Sequence, residues 1–233
     1  MPRLNSTKSH VYTENNEYVS WINTPKVTIL KSSQTLLGIS ALLLVSCSKS
    51  SFDYYQPQQG IAENFTNSCN GKGPDDHIRF TLHQNVYVEA TAYFSQVEPG
   101  KFTAQISYFV PQENTLRFVD KSFVVSDAAQ INKTFIADQV YRFMGTDHIE
   151  RQSIEGLLPG RTIPIKYFQE IRDVDVGYRI EIKHQFANNV DQFTLKLPMV
   201  EINGQSVTAE PITFSLKELS RSLPGNCQLP QYQ

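Results

Sequence analysis

Apolar residues recur at every second position over most of this chain, and that period belongs to half-buried β-strands. Ile78, Phe80 and Leu82 share one parity, and after a shift Val86, Val88, Ala90 and Ala92 continue the pattern. Phe102, Ala104, Ile106, Tyr108 and Val110 form a longer set that stops at Pro111. Leu116 and Phe118, then Phe123 and Val125, mark a further segment. The strongest run is VDVGYRIEIKHQF, in which Val174, Val176, Tyr178, Ile180, Ile182, His184 and Phe186 fall on one face. Phe193, Leu195 and Leu197 follow. Asn203-Gly204 then predicts a hairpin turn, because both residues tolerate positive φ, and a last strand runs through Ile212, Phe214 and Leu216.

Residues 126–145 depart from this period. Ser126 or Asp127 can cap a helix, Ile131, Phe135, Ile136, Val140, Phe143 and Met144 supply apolar positions, and Gly145 supplies a stop. The pattern as a whole predicts a mainly β protein, an antiparallel β-sandwich of immunoglobulin-like or similar type, with one helical insertion near 127–144. The sandwich is expected to occupy 61–233 as a single domain, entered through the turn-rich NSCNGKGPDD at 67–76. Ahead of it, 47–60 reads as a polar tether, able to span up to roughly 40 Å at about 3.3 Å per residue.

Composition agrees with this picture. The 233 residues suit one substantial domain, and 40% hydrophobic against 19% charged residues allows a buried core. Phe and Tyr number 14 and 11, which favours strands. From Cys47 onward, 17 Lys and Arg stand against 21 Asp and Glu. A mildly acidic body without a basic stripe excludes nucleic acid as the expected partner, since phosphate neutralisation needs clustered cations.

Upstream, 36–46 is an apolar run of 11 residues, LLGISALLLVS, ended by Cys47-Ser48-Lys49. It is too short to cross a bilayer, which takes about 20 apolar residues. With Lys26 and Lys31 before it, it fits the apolar core of a secretory signal. Leu44-Val45-Ser46-Cys47 resembles the lipobox of bacterial lipoproteins, an aliphatic residue and two small or moderate ones before an obligatory Cys. The resemblance covers about 27–48 only; none is evident for the body. It implies that the Cys47 thiol carries a diacylglyceryl group, that the chain is cut between Ser46 and Cys47, and that the new amino group is acylated. Several acyl chains are needed because one chain binds a membrane only marginally.

Residues 1–46 are therefore expected to be leader and signal, absent from the mature protein. The first 26 are polar and unlike a translocation signal, and the favoured reading starts the chain at Val27, initiated as Met. Ser48 follows Cys47 where lipoproteins retained in an inner membrane commonly carry Asp. The resemblance thus implies an outer-membrane anchor through Cys47, with the body in the periplasm.

Three Cys leave an even pair once Cys47 is lipidated, and Cys69 with Cys227 is expected to form a disulfide stapling the ends of the body. Two unpaired thiols are the alternative. Neither is accompanied by the CxxC or Cys/His spacing of a metal site.

Catalytic motifs are absent: GxSxG, HExxH, a phosphate-binding loop and a dinucleotide fingerprint all fail to match. Asp75-Asp76-His77 and Asp147-His148 with Glu150 could ligate a metal, but solvated turns explain them more simply. Asp173 and Asp175 flank Val174 and should share an exposed face, and His184 should point inward with Ile180 and Ile182. The expected function is that of a non-enzymatic envelope lipoprotein, without cofactor or metal, that binds a protein or glycan or supports an assembly. The alternative is a lipoprotein enzyme acting on envelope glycans or peptides, which would require a cleft with convergent polar groups.

Overall fold

The computed structural model describes residues 52–66, 73–128, 132–144, 148–167 and 170–219. Cys47, Cys69, Cys227 and the Ser46–Cys47 junction lie outside them. In chain order the strands begin with β1 (Phe52–Gln58), β2 (Glu63–Phe65), β3 (His77–His83), β4 (Val86–Phe94) and β5 (Lys101–Val110). Next come β6 (Leu116–Phe118), β7 (Ser122–Ser126), β8 (Asn132–Ile136), β9 (Gln139–Met144), β10 (His148–Ser153) and β11 (Thr162–Tyr167). The series closes with β12 (Glu170–Gln185), β13 (Gln192–Lys196), β14 (Val200–Ile202), β15 (Gln205–Val207) and β16 (Ile212–Leu219).

All pairings between these strands are antiparallel. A five-stranded sheet has the order β1-β16-β13-β7-β8, and an eight-stranded sheet runs β10-β9-β12-β5-β4-β3-β2 with β11 on β12. A small sheet, β15-β14-β6, completes the structure. The two large sheets form a β-sandwich whose inner faces are the apolar parities of the sequence. Phe193 of β13 meets Phe94 of β4 and Phe102 of β5, each with ring centroids 5.5 Å apart. Tyr55 of β1 lies against the Phe94 ring as well. Each such buried ring contributes about 1.5–3 kcal/mol by leaving water. Val88, Ala104, Ile106, Val110, Val125 and Phe214 are fully buried between the sheets.

Two tight turns show why their strands pair in register. Asn203 and Gly204 both adopt positive φ and join Ile202 to Gln205, as the Asn-Gly pair predicts. Gln84 and Asn85 do the same between β3 and β4, beside a bulge at Thr81/His83 that offsets the ladder by one residue.

The structure corrects two expectations. Among the described residues near 127–144 no helix forms: β8 and β9 take up 132–136 and 139–144 after β7 ends at Ser126, and a 3-10 turn follows at Ile154–Gly156. The apolar positions that suggested one helical face are divided. Phe135 packs against Phe102 of the core and Val140 is buried, whereas Ile136 is 61% exposed. Residues such as Thr134, Phe135, Val140, Tyr141 and Phe143 also favour strands intrinsically. Second, 52–58 is not tether but β1, paired with β16 along its whole length and burying Tyr54 and Tyr55.

Candidate functional site

The sandwich has a seam where the chain crosses from one large sheet to the other between β8 and β9. Two main-chain bonds hold that crossing. Ala137 N donates to Lys121 O at 3.1 Å, and Ile154 N donates to Asp138 O at 3.1 Å. With these groups committed, β9 pairs with β12 at 177–179 and then veers away. Residues 180–185 of β12 stay paired with β5 on one edge, and among the described residues no strand pairs with the other edge. β8 is itself the outermost strand of the five-stranded sheet.

Between these edges lies a groove of about 350 Å³. Its floor is apolar, made by Phe123, Ile180 and Ile182, all buried. One wall is Phe135, Ile136 and Ala137; at the mouth stand Tyr141, Arg151, Glu181 and Lys183. Glu181 and Lys183 pair with each other at 3.4 Å. Lys121, behind the wall, bonds Glu155 and lies 3.9 Å from Asp138. The bond to Glu155 raises the Lys121 pKa and lowers that of Glu155. Arg151 has no carboxylate partner among the described residues and is exposed. Asp138 also lines the groove, so its rim carries two carboxylates and two cations above an apolar floor, and of the cations Arg151 has no carboxylate partner among the described residues.

Beside the mouth, the outer face of the large sheet carries a transverse row of aromatic and charged groups. Tyr87 stacks on Phe109 at 4.6 Å, and Phe109 meets Phe143 edge-on at 5.5 Å. Phe143 sits across Gly177, where an added Cβ would come within 2.3 Å of the ring. The next row is Tyr141, Arg179, Ser107, Glu89 and Arg79, set by the ladder register. Arg79 bonds Glu89 and lies over Phe65 and Tyr87. Arg179 lies 4.5 Å from the Phe143 ring centroid and bonds Ser107 Oγ at 3.4 Å. Burial lowers the Arg179 pKa. Burial also raises that of Tyr87, to about 12, with nearby Glu89 adding to the effect. These rings lie under the guanidinium groups, which makes the row a cover for the sheet and a shoulder of the groove.

The sequence candidates fall elsewhere. Asp76 is buried and bonds His77 Nδ1 at 2.7 Å, a two-residue pair, whereas Asp75 is exposed. Among the described residues, no group of three or more His, Cys, Asp or Glu could hold a metal ion. Asp147 lies outside the described residues, and Glu150 is 3.9 Å from Arg142. Asp173 and Asp175 share one face of β12 with Val174 on the other, and Asp175 accepts a bond from Thr162 Oγ1 at 2.7 Å. His184 lies against the Phe135 and Phe186 rings, at 5.3 and 4.7 Å. Among the described residues, none of these lines the groove. Its residues escape notice in the sequence because half of them fall within the stretch that reads as a helix. The usable signal there was the β-rich composition of 132–144 with Ala137-Asp138 as its turn. No helix among the described residues is long and apolar enough to cross a membrane. No family model matches this chain, and no curated protein or solved structure matches it either.

Proposed function

We propose that this chain is a bacterial envelope lipoprotein, anchored through Cys47 in the outer membrane, whose β-sandwich serves as a binding or assembly-support module in the periplasm. The anchor rests on Leu44-Val45-Ser46-Cys47 and the apolar run abutting it. The binding role rests on the groove at the β8–β12 seam: an apolar floor, an exposed Ile136 and an Arg151 without a carboxylate partner among the described residues are what a protein or glycan partner would cover. Only Ser48–Ser51 separate Cys47 from β1. Four residues reach about 13 Å, so the sandwich sits close to the lipid surface rather than far above it. Cys69 and Cys227 complete the reading as a disulfide pair.

Metabolic labelling with a fatty-acid analogue tests the anchor. Wild-type protein should take up label and Cys47→Ala should not; equal labelling of both would defeat the anchor. The groove is tested by Ile136→Asp in the anchored chain, which should release whatever co-purifies with the wild type from solubilised membranes. Unchanged co-purification would remove the groove from the binding surface. Sorting is tested by Ser48→Asp, which should shift the protein towards inner-membrane fractions. Wild-type protein found wholly in those fractions would refute the outer-membrane assignment alone.

A further inference from the structure

We infer that the groove takes up an extended segment of a partner protein, which adds as a strand to the open edge of β12 at Glu181 and Lys183. The inference rests on the reading of the groove as a binding site and names what enters it. Phe186 N donates to Gly100 O at 2.7 Å, which places the main-chain groups of even-numbered residues in β12 toward β5. The odd-numbered residues Gly177 and Arg179 face the opposite edge, where they meet Phe143 and Tyr141 of β9. By the same alternation, Glu181 and Lys183 turn their N–H and C=O groups into the groove, beyond the point where β9 leaves the ladder. Donors and acceptors at strand spacing are the complement of another extended backbone, not of a sugar ring or an acyl chain.

The side chains around this edge fit the same occupant. An added strand sends alternate side chains to opposite faces. Those on the inner side would meet Ile180, Ile182 and Phe123; Ile136, on the facing wall, would be covered. Arg151 at the mouth, without a carboxylate partner among the described residues, can pair with an acidic side chain on the entering segment.

The full chain, anchored in its own membrane, is given a photo-crosslinking residue at Ile136 and, as a control, at Val119. An adduct with a protease-sensitive partner is expected at position 136 and not at 119. Glu181→Pro and Lys183→Pro should each lower the adduct about tenfold or more, because proline removes the donor and obstructs an added strand. Neither N–H belongs to the β5 ladder, so both variants should keep the wild-type urea midpoint. If one proves unfolded, the other decides. Hydrogen exchange on the unaltered protein gives an independent check: the amides of Glu181 and Lys183 should exchange fast and those of Ile180 and Ile182 slowly. Slow exchange at Glu181 and Lys183 would overturn the open edge. An undiminished adduct in both proline variants overturns strand addition while leaving the groove a binding site, and so does a protease-resistant glycan adduct. An adduct with a second copy of this chain overturns the separate partner. The absence of any adduct at Ile136 overturns both readings.

Discussion

Gly177 occupies the middle of β12, paired with Phe109 on one side and Phe143 on the other. Glycine inside a strand ordinarily costs about 0.5–1 kcal/mol relative to alanine, so Gly177→Ala would be expected to stabilise the protein if backbone entropy alone mattered. The Phe143 ring reverses the sign. An alanine Cβ would stand 2.3, 2.5 and 2.9 Å from Cζ, Cε1 and Cε2 of that ring. Ordinary carbon contacts lie near 3.5–4.0 Å, so the ring must retreat by more than about 1 Å. It has little room, being 8% exposed and held between the Phe109 edge and the Arg179 guanidinium. Overpacking of this kind costs about 1–3 kcal/mol. Against the entropy gain, Gly177→Ala should destabilise by about 1–2 kcal/mol. Leucine has no atoms at the Cζ and Cε positions. In a Phe143→Leu background the same change should therefore be neutral, or stabilising by up to about 1 kcal/mol. The coupling between the two sites is then about 2 kcal/mol, well above the ~0.5 kcal/mol scatter of independent sites. Urea titrations of the four proteins, followed by far-ultraviolet circular dichroism, would measure it from midpoints at constant slope. An equal cost in both backgrounds, or a stabilised Gly177→Ala in the presence of Phe143, would refute the account of the aromatic row.

Tyr108 is fully buried and its hydroxyl has no hydrogen-bond partner among the described residues. Tyr108→Phe should therefore be neutral or stabilising by up to about 2 kcal/mol, because an unpaired buried hydroxyl carries its full desolvation cost; a loss above about 1 kcal/mol in the urea midpoint would show that the hydroxyl is bonded. Burial raises the pKa of Tyr55, Tyr87, Tyr108 and Tyr178 above the value near 10 of a free tyrosine. Above pH 10 the unfolded chain then holds fewer protons than the folded one. Stability should be complete below that pH and fall as pH rises, by about 1.4 kcal/mol per unit for Tyr108 alone. Urea midpoints that match at pH 9 and about pH 11 would contradict this. Finally, intact mass of the unreduced, denatured protein should show no alkylation at Cys69 or Cys227, and modification of both would rule out the proposed bond.

Most inner-face positions are legible in the sequence because strand burial is a local alternation. Val86 to Phe94, Phe102 to Val110 and Val176 to Ile182 each place every second side chain in the core, whatever their partners turn out to be. The Asn203-Gly204 hairpin is equally local, since it depends on two residues that accept positive φ. The polar stretch 52–58, with Pro57 and its glutamines, gives no such sign. It becomes a strand because β16, some 160 residues later, supplies the ladder for it. Likewise 126–145 carries apolar residues spaced ambiguously between the two periods, and the choice fell to long-range contacts: Phe135 against Phe102, β7 beside β8, β9 beside β12. The groove lies further still from the sequence. It exists because Ala137 N and Asp138 O are bonded to Lys121 and Ile154, which draws β9 off the β12 edge. The sequence determined most of the residues that would be inside, because alternation sorts apolar side chains to one face of a strand, but it did not settle Ile136, Tyr54 or Tyr55. Which backbone edge stays open was decided by competition for hydrogen bonds among segments distant in the chain, and only the tertiary structure brings those competitors together.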